Sequence, residues 1–154
     1  MVTFIEECTT ELRAAGYTGI ISTAETVGTF QTYPELCGAV SEVIHCNIHG
    51  YYDPNTSSAQ AGSFVVSQQQ LAESICNLQV IVSETGWPSA GGSNGAAVAS
   101  IADQGIAIAA IYASTGGAVT WFSPYNDLWK APGPEQNFGT FPPPRFQGSK
   151  MLIV

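Results

Sequence analysis

Basic residues are scarce in this chain of 154 residues: 4 Lys and Arg stand against 12 Asp and Glu, which gives a formal net charge of −8. So acidic a protein lacks the positive surface that binds nucleic acid or an anionic membrane, and we exclude both as partners. Charged residues of either sign make up only 10% of the chain, whereas hydrophobic residues make up 45%. This balance excludes a disordered acidic segment and indicates a globular protein with a core.

Long hydrophobic runs and metal-binding cysteine spacings are also lacking. No apolar run reaches the roughly 18 residues needed to span a bilayer, and the first residues show neither the basic start nor the apolar stretch of a signal peptide. The four cysteines form no C-x-x-C pair, so we expect no metal site and no cofactor. The sparse charge and the glycosylation sequon Asn55-Thr56-Ser57 favour a secreted, extracellular or cell-wall protein.

The spacing of apolar residues predicts helices that alternate with short strands. We predict helices over 3–15, 66–77 and 96–114, and strands over 19–23, 42–49, 79–83 and 117–122. This alternation indicates an α/β fold of parallel β/α units. Four strands fit half of a (β/α)8 barrel, and a small open α/β sheet is the alternative. We divide the chain into a half-barrel domain, 1–140, and a Pro-rich irregular tail, 141–154.

Glu84 is the strongest candidate for chemistry because it directly follows an apolar strand. Strict alternation places Val80, Val82 and Glu84 on one face, which would point into a barrel. With Trp87 as an aromatic wall, the carboxylate could serve as nucleophile or acid/base on a sugar. A surface glutamate that begins a turn is the alternative interpretation.

The stretch Val82–Ser89, V-S-E-T-G-W-P-S, resembles the signature of glycoside hydrolase family 17, the β-1,3-glucanases and glucanosyltransferases, in a fungal form. The resemblance covers roughly residues 1 to 140 and extends to the segments Asn47–Tyr52, Phe64–Gln68, Phe122–Lys130 and Phe138-Gly139. It implies a TIM-type (β/α)8 barrel and a retaining mechanism, with Glu84 matching the nucleophile. The four predicted strands would then correspond to the fifth through eighth strands of that barrel, its C-terminal half.

One part of the family pattern is missing. The family takes its acid/base glutamate from an Asn-Glu motif on an earlier strand, and this sequence contains no Asn-Glu dipeptide. Retaining glycosidases need two carboxyl groups about 5 Å apart, so the resemblance implies a nucleophile without its acid. Glu25, after the first strand, aligns with a family position that contacts substrate rather than with the acid.

Further residues after the strands are predicted to line a sugar cleft. They offer hydrogen bonds or flat apolar faces suited to stacking on glucan, and they are Asn47, His49, Tyr51, Trp87, Tyr125 and Trp129. The alternatives stay open at this point. His49 could instead order its loop, and the aromatic side chains could instead belong to the core.

Half a barrel leaves two strand edges and a concave face uncovered, which predicts a homodimer that closes eight strands about a twofold axis. A Cys37–Cys76 bridge is geometrically plausible, because both residues lie at the bottom of the β/α layout; four cysteines still allow three connectivities. The predicted function is a half-barrel that recognises β-1,3-glucan. Two alternatives remain: a non-catalytic secreted fungal interaction protein (an effector or immunomodulatory protein), and a weak endo-β-1,3-glucanase or transglycosylase.

Overall fold

The computed structural model describes residues 1–39 and 42–141, so all but the first residue of the predicted tail lies outside the described residues. The helices are α1 (Val2–Ala14), α2 (Val27–Thr32), α3 (Glu35–Gly38), α4 (Ala61–Cys76) and α5 (Ile101–Thr115). The strands are β1 (Ala24–Thr26), β2 (Val43–Asn47), β3 (Gln79–Thr85), β4 (Gly92–Asn94), β5 (Ala97–Ala99) and β6 (Val119–Trp121). Among the described residues, no helix is both long and apolar enough to cross a membrane.

Four parallel strands form the main sheet in the order β1-β2-β3-β6, which confirms the predicted α/β fold. The first strand is shorter and later than predicted, because it begins at Ala24 instead of ending at residue 23. Helix α2 follows it at once, and the Thr26 hydroxyl caps that helix by accepting the Thr29 N–H at 3.2 Å.

A small antiparallel hairpin, β4–β5, occupies a stretch that the sequence predicted as a loop and the start of a helix. Helix α5 therefore begins at Ile101, five residues later than predicted. Its start is fixed by Ser100, whose hydroxyl accepts the Asp103 N–H at 3.0 Å. Its end is fixed by Gly116, whose φ of 64° suits glycine.

The core lies between the sheet and the helices α4 and α5. From the sheet, Ile44 and Cys46 are fully buried, and from the helices Val65 and Ile111 are fully buried. The two helices approach closely at Gly62, where an added Cβ would stand 2.2 Å from the Ala110 carbonyl oxygen. A side chain at this position would push the helices apart.

The outer strands and the first helix leave apolar surface uncovered. In the described part of the chain, β1 and β6 each pair with a neighbouring strand on one side only. Every residue of α1 keeps some exposure, and its apolar Phe4 and Leu12 are 67% and 42% exposed. The molecule is thus an open sheet with two free edges rather than a closed barrel.

Candidate active-site cleft at the carboxyl ends of the strands

A β-bulge in β3 aims Glu84 at the cleft. Val80 and Val82 are buried in the helix-covered core, whereas Ile81 between them is 38% exposed on the opposite, concave face. The register then shifts: Cys46 pairs with Val82, but the next residue of β2 pairs with Glu84. The extra residue places Glu84 on the concave face. The predicted shared face of Val80, Val82 and Glu84 is therefore wrong, because alternation breaks at the bulge.

A glycine allows this strand end to pass its neighbour. An added Cβ on Gly86 would stand 2.2 Å from the Phe122 carbonyl oxygen, so only glycine fits here. Phe122 in turn donates its backbone N–H to the Thr85 carbonyl at 2.8 Å, which continues the pairing of β3 with the segment after β6. The close approach brings the Phe122 side chain to the same cleft as Glu84.

The cleft is a cavity of about 390 Å³ at the carboxyl ends of the sheet strands. Parallel β/α proteins bind ligands at this end of the sheet. Its polar lining comes from Thr26, Asn47, His49, Tyr52, Gln68, Glu84 and Glu135, and its main apolar lining from Val27, Ile48, Phe64, Phe122 and Phe138. The mixture of a few polar groups with aromatic walls is typical of a small-molecule site.

His49 lies beside Glu84 as a neutral group. Its Nε2 is 3.7 Å from a Glu84 carboxylate oxygen, and its ring stands edge-on to Phe122 and Phe138 with centroids 5.7 and 5.4 Å away. Burial lowers the pKa of His49 from 6.5 to about 4, although the negative charge of Glu135 opposes this shift. At neutral pH the contact therefore joins an uncharged imidazole to a carboxylate, and it is not an ion pair.

Glu135 is a second carboxylate of the cleft, and the sequence reasoning missed it. It lies in a 3-10 turn, Pro134–Gln136, and accepts a hydrogen bond from the Tyr52 hydroxyl. Lys130 stands 3.8 Å from its other oxygen and 2.9 Å from an Asp127 oxygen. Burial, followed by the Glu135 hydrogen bond, raises the pKa of Tyr52. The sequence does not predict Glu135 because this residue does not directly follow a strand: β6 ends at Trp121. Its position shortly before the family-like Phe138-Gly139 is a signal that could have indicated it.

Of the predicted cleft residues, Asn47, His49 and Glu84 come together, and two aromatic residues do not. Tyr51 is 3% exposed and Trp87 is fully buried, with the two rings edge-to-face at 5.6 Å. The Trp87 indole N–H donates to the Val98 carbonyl at 2.8 Å, which ties the loop after β3 to the hairpin. These two side chains pack the core under the cleft rather than forming its wall.

The other three predicted residues lie outside the cleft lining. Glu25 is opposite Cys46 in the register and lies in a separate groove between α1 and β1. Tyr125 and Trp129 are 48% and 81% exposed, on the segment that follows β6. The Lys130 ammonium lies 4.9 Å from the ring centroid of Phe122, which lines the cleft, and 5.4 Å from that of Trp129.

The cysteines serve packing and cross-linking in this structure. A disulfide joins Cys37 to Cys76, with Cα atoms 5.1 Å apart, and ties α3 to the end of α4. Burial raises the pKa of the Cys46 thiol to about 11, so Cys46 behaves as a core residue rather than as a nucleophile. Within residues 1–39 and 42–141, no group of three or more His, Cys, Asp or Glu side chains is placed to hold a metal ion.

The parallel sheet and a carboxylate-lined cleft at its strand ends define a β/α domain with a ligand-type site at the carboxyl ends of its strands. Residues 1–140 match the family model described as the BtgE/BtgC glycoside hydrolase domain. The chain belongs to this family. The sequence resemblance to fungal family 17 enzymes is thereby confirmed.

Relatives with known names are much longer than this chain. A probable beta-glucosidase btgE of Aspergillus flavus is 42% identical over 131 residues, which are 84% of this chain and 22% of that protein. A cell surface mannoprotein of Candida albicans is 38% identical over 133 residues, which are 85% of this chain and 35% of that protein. This chain therefore spans between about a fifth and a third of these two relatives.

Solved structures show the same fold. The glycoside hydrolase family 17 β-1,3-glucanosyltransferase of Rhizomucor miehei superimposes with a TM-score of 0.75 at 22% identity, covering 90% of this chain and 51% of that enzyme. An active-site mutant of the same enzyme, solved with laminaritriose, gives the same TM-score at 21% identity. A plant β-glucan endohydrolase gives 0.61 at 21% identity, with 83% and 59% coverage. The four parallel strands thus match part of the TIM-type barrel of these neighbours.

Proposed function

We propose that this chain recognises β-1,3-glucan in the cleft around Glu84, which keeps the position of a glycosidase nucleophile. The observation that carries the proposal is the bulge that brings Glu84 into a cavity of about 390 Å³ with aromatic walls. The family match and the laminaritriose complex of a structural neighbour support glucan as the ligand. Carboxylates bind sugar hydroxyls, and the partly exposed ring of Phe122 offers an apolar face.

Hydrolysis by this chain alone is expected to be weak or absent. Glu84 and Glu135 are the two carboxylate residues among the described lining of the cleft. Glu135 is already engaged as an acceptor for Tyr52 and lies beside Lys130. A positioned proton donor typically raises the rate of such reactions 10²–10⁴-fold. A site without one is therefore expected to bind glucan but to hydrolyse it slowly.

The exposed rings of Tyr125 and Trp129 extend the proposed glucan surface. Both follow Phe122 along the chain, and Trp129 is 81% exposed with Lys130 5.4 Å from its ring centroid. Glucan units that protrude from the cleft would stack on these rings. The predicted roles of Glu25, Tyr51 and Trp87 in binding are not part of this proposal, because those side chains lie elsewhere.

Isothermal titration with laminari-oligosaccharides tests recognition. We expect saturable binding that Glu84→Ala weakens about tenfold or more, the effect of losing a charged hydrogen bond. Glu11→Ala, an exposed glutamate on α1, is the matched control and should bind as the parent does. Binding that the Glu84 variant leaves unchanged, or equal binding of β-1,4-linked oligosaccharides, contradicts the proposal.

A glucan hydrolysis assay tests the catalytic part. We expect no reducing sugar above background from the parent chain or from Glu84→Gln. Activity that disappears in Glu84→Gln would instead show a working enzyme and would overturn the proposed lack of a proton donor.

A second copy of this chain is the proposed cover for the two free sheet edges. In a twofold assembly, β6 of one copy would pair with β1 of the other, and α1 would pack over the partner's β6. The exposed Phe4 and Leu12 of α1 supply apolar surface for that contact. Sedimentation should show a dimer that Phe4→Glu combined with Leu12→Glu converts to a folded monomer. A stable parent monomer at micromolar concentration contradicts this assembly.

A non-catalytic extracellular interaction protein is the second candidate function. The uncovered apolar face of α1 favours it, since such faces mark interaction sites. An extracellular or cell-wall location suits both candidates. It is supported by the Cys37–Cys76 disulfide and by the relative named a cell surface mannoprotein.

A further inference from the structure

The turn after the cleft residue Tyr52 carries the one Asn-x-Ser/Thr triplet of the whole sequence, Asn55-Thr56-Ser57. The Asn55 side chain is exposed, whereas the next residue, Thr56, is buried. Neither glucan recognition nor core packing uses this asparagine.

The hydrogen bonds of the turn leave that amide free to take a substituent. Asp53 accepts the Asn55 backbone N–H at 3.1 Å, the Asn55 Nδ2 at 3.3 Å and the Thr56 hydroxyl at 2.6 Å. These bonds hold the backbone in place. The hydrogen bond from the Thr56 hydroxyl is also the largest of the causes that lower the pKa of Asp53. Since Nδ2 carries two hydrogens, one can remain bonded to Asp53 while the other is replaced.

The position in the fold is compatible with a bulky group. The turn follows β2, which is an interior strand of the sheet and not one of its two free edges. The Pro54 carbonyl accepts the Ala96 N–H at 2.8 Å, which docks the turn on the β4–β5 hairpin. Asn55 is also absent from the cleft lining. A group on Asn55 would therefore block neither the proposed glucan cleft nor the proposed dimer contact.

We propose that Asn55 is an N-glycosylation site, an inference that rests on the proposed extracellular location. The donor is an oligosaccharide carried on a polyprenyl diphosphate. The Asn55 Nδ2 forms a bond to the anomeric carbon, the carbon–oxygen bond to the diphosphate breaks, the diphosphate leaves with that electron pair, and the amide proton passes to a base. The disulfide between Cys37 and Cys76 is independently consistent with folding in the oxidising compartment where this transfer occurs.

The test is intact mass of the full chain secreted from a eukaryotic host through a cleavable leader, before and after peptide N-glycosidase. We expect one glycan, released with conversion of Asn55 to Asp, and absent from both Asn55→Gln and Ser57→Ala. Thr56→Ala is the matched control, because it removes a hydrogen bond of the turn but keeps an Asn-Ala-Ser triplet. It should remain glycosylated.

A secreted, disulfide-bonded parent without a glycan overturns the site, as does a glycan that persists in Asn55→Gln. Neither outcome bears on glucan binding, which the titrations test separately. An intracellular location in the natural host would contradict the proposed extracellular location. The mass of the secreted chain would still decide whether Asn55 accepts a glycan. Asn55→Gln should bind laminari-oligosaccharides as the parent does, since Asn55 does not line the cleft.

Discussion

Lowering the pH should destabilise the fold through His49. In the unfolded chain this imidazole takes up a proton near its ordinary pKa of 6.5, whereas burial in the cleft lowers the folded-state pKa of His49 to about 4. Between these values the unfolded state binds more protons, so the free energy of unfolding falls as the pH falls. The full difference of about 2.5 in pKa, at about 1.4 kcal/mol for each unit, corresponds to about 3.5 kcal/mol. About 3 kcal/mol of it is lost between pH 7 and pH 4, because folded His49 is itself half protonated at pH 4.

Urea unfolding at a series of pH values, followed by tryptophan fluorescence, measures this loss. His49→Gln removes the titrating group, so its free energy of unfolding should change less over the same range. The other histidine, His45, and all carboxylates are present in both proteins, so the difference between the two slopes isolates His49. Parallel pH profiles for the parent and His49→Gln would refute the reasoning. A change in baseline stability alone would not, because the prediction concerns the slope.

Two further predictions concern the scaffold. Replacing Cys37 and Cys76 by serine removes a cross-link that spans 39 residues and should lower the free energy of unfolding by about 4 kcal/mol, measured by urea unfolding; an unchanged midpoint would show that the bridge is dispensable. Gly62→Ala should cost about 1–3 kcal/mol because its Cβ meets the Ala110 carbonyl at 2.2 Å. Gly105→Ala, in α5 with open space around it, should instead stabilise by about 0.5–1 kcal/mol, and equal effects of the two would contradict this account.

The longer elements that contribute to the core are predictable from sequence because their apolar residues recur along the chain. β3 buries Val80 and Val82, and α5 buries Ala107 and Ile111, so an apolar strand and an Ala/Ile-rich helix are predicted at these places. The hairpin β4–β5 has no such pattern. Its strands are short and mostly exposed, and it is held by contacts that are distant in sequence, such as the Asn94 side-chain amide to the Tyr51 carbonyl at 3.0 Å.

Aromatic residues near strand ends could not be assigned to the core or the cleft from sequence. Trp87 and Trp129 both stand in loops after strands, yet the first is fully buried and the second is 81% exposed. The difference comes from tertiary partners: the Trp87 indole meets the hairpin, which the sequence did not predict, and Gln104 of α5 donates to the Trp87 carbonyl at 2.9 Å. Neither the contact of Trp87 with the hairpin nor the hydrogen bond from Gln104 can be predicted from the type of this residue and its neighbours in sequence.

The position of Glu84 on the concave face follows from a different strand geometry than the one that the sequence predicts. Because side chains alternate with a period of two, a single extra residue reverses which face every later residue occupies. Strict alternation predicts that Val82 and Glu84 both lie on the concave face, whereas in the structure Val82 faces the helices and the bulge moves Glu84 to the concave face. The wrong face for Val82 and the missing bulge have opposite effects on Glu84, so the predicted face of Glu84 agrees with the structure. The family-like motif identifies the residue but says nothing about the strand geometry. The Glu84 carboxylate is therefore positioned by an irregularity in the sheet, a feature that neither alternation nor strand propensity predicts.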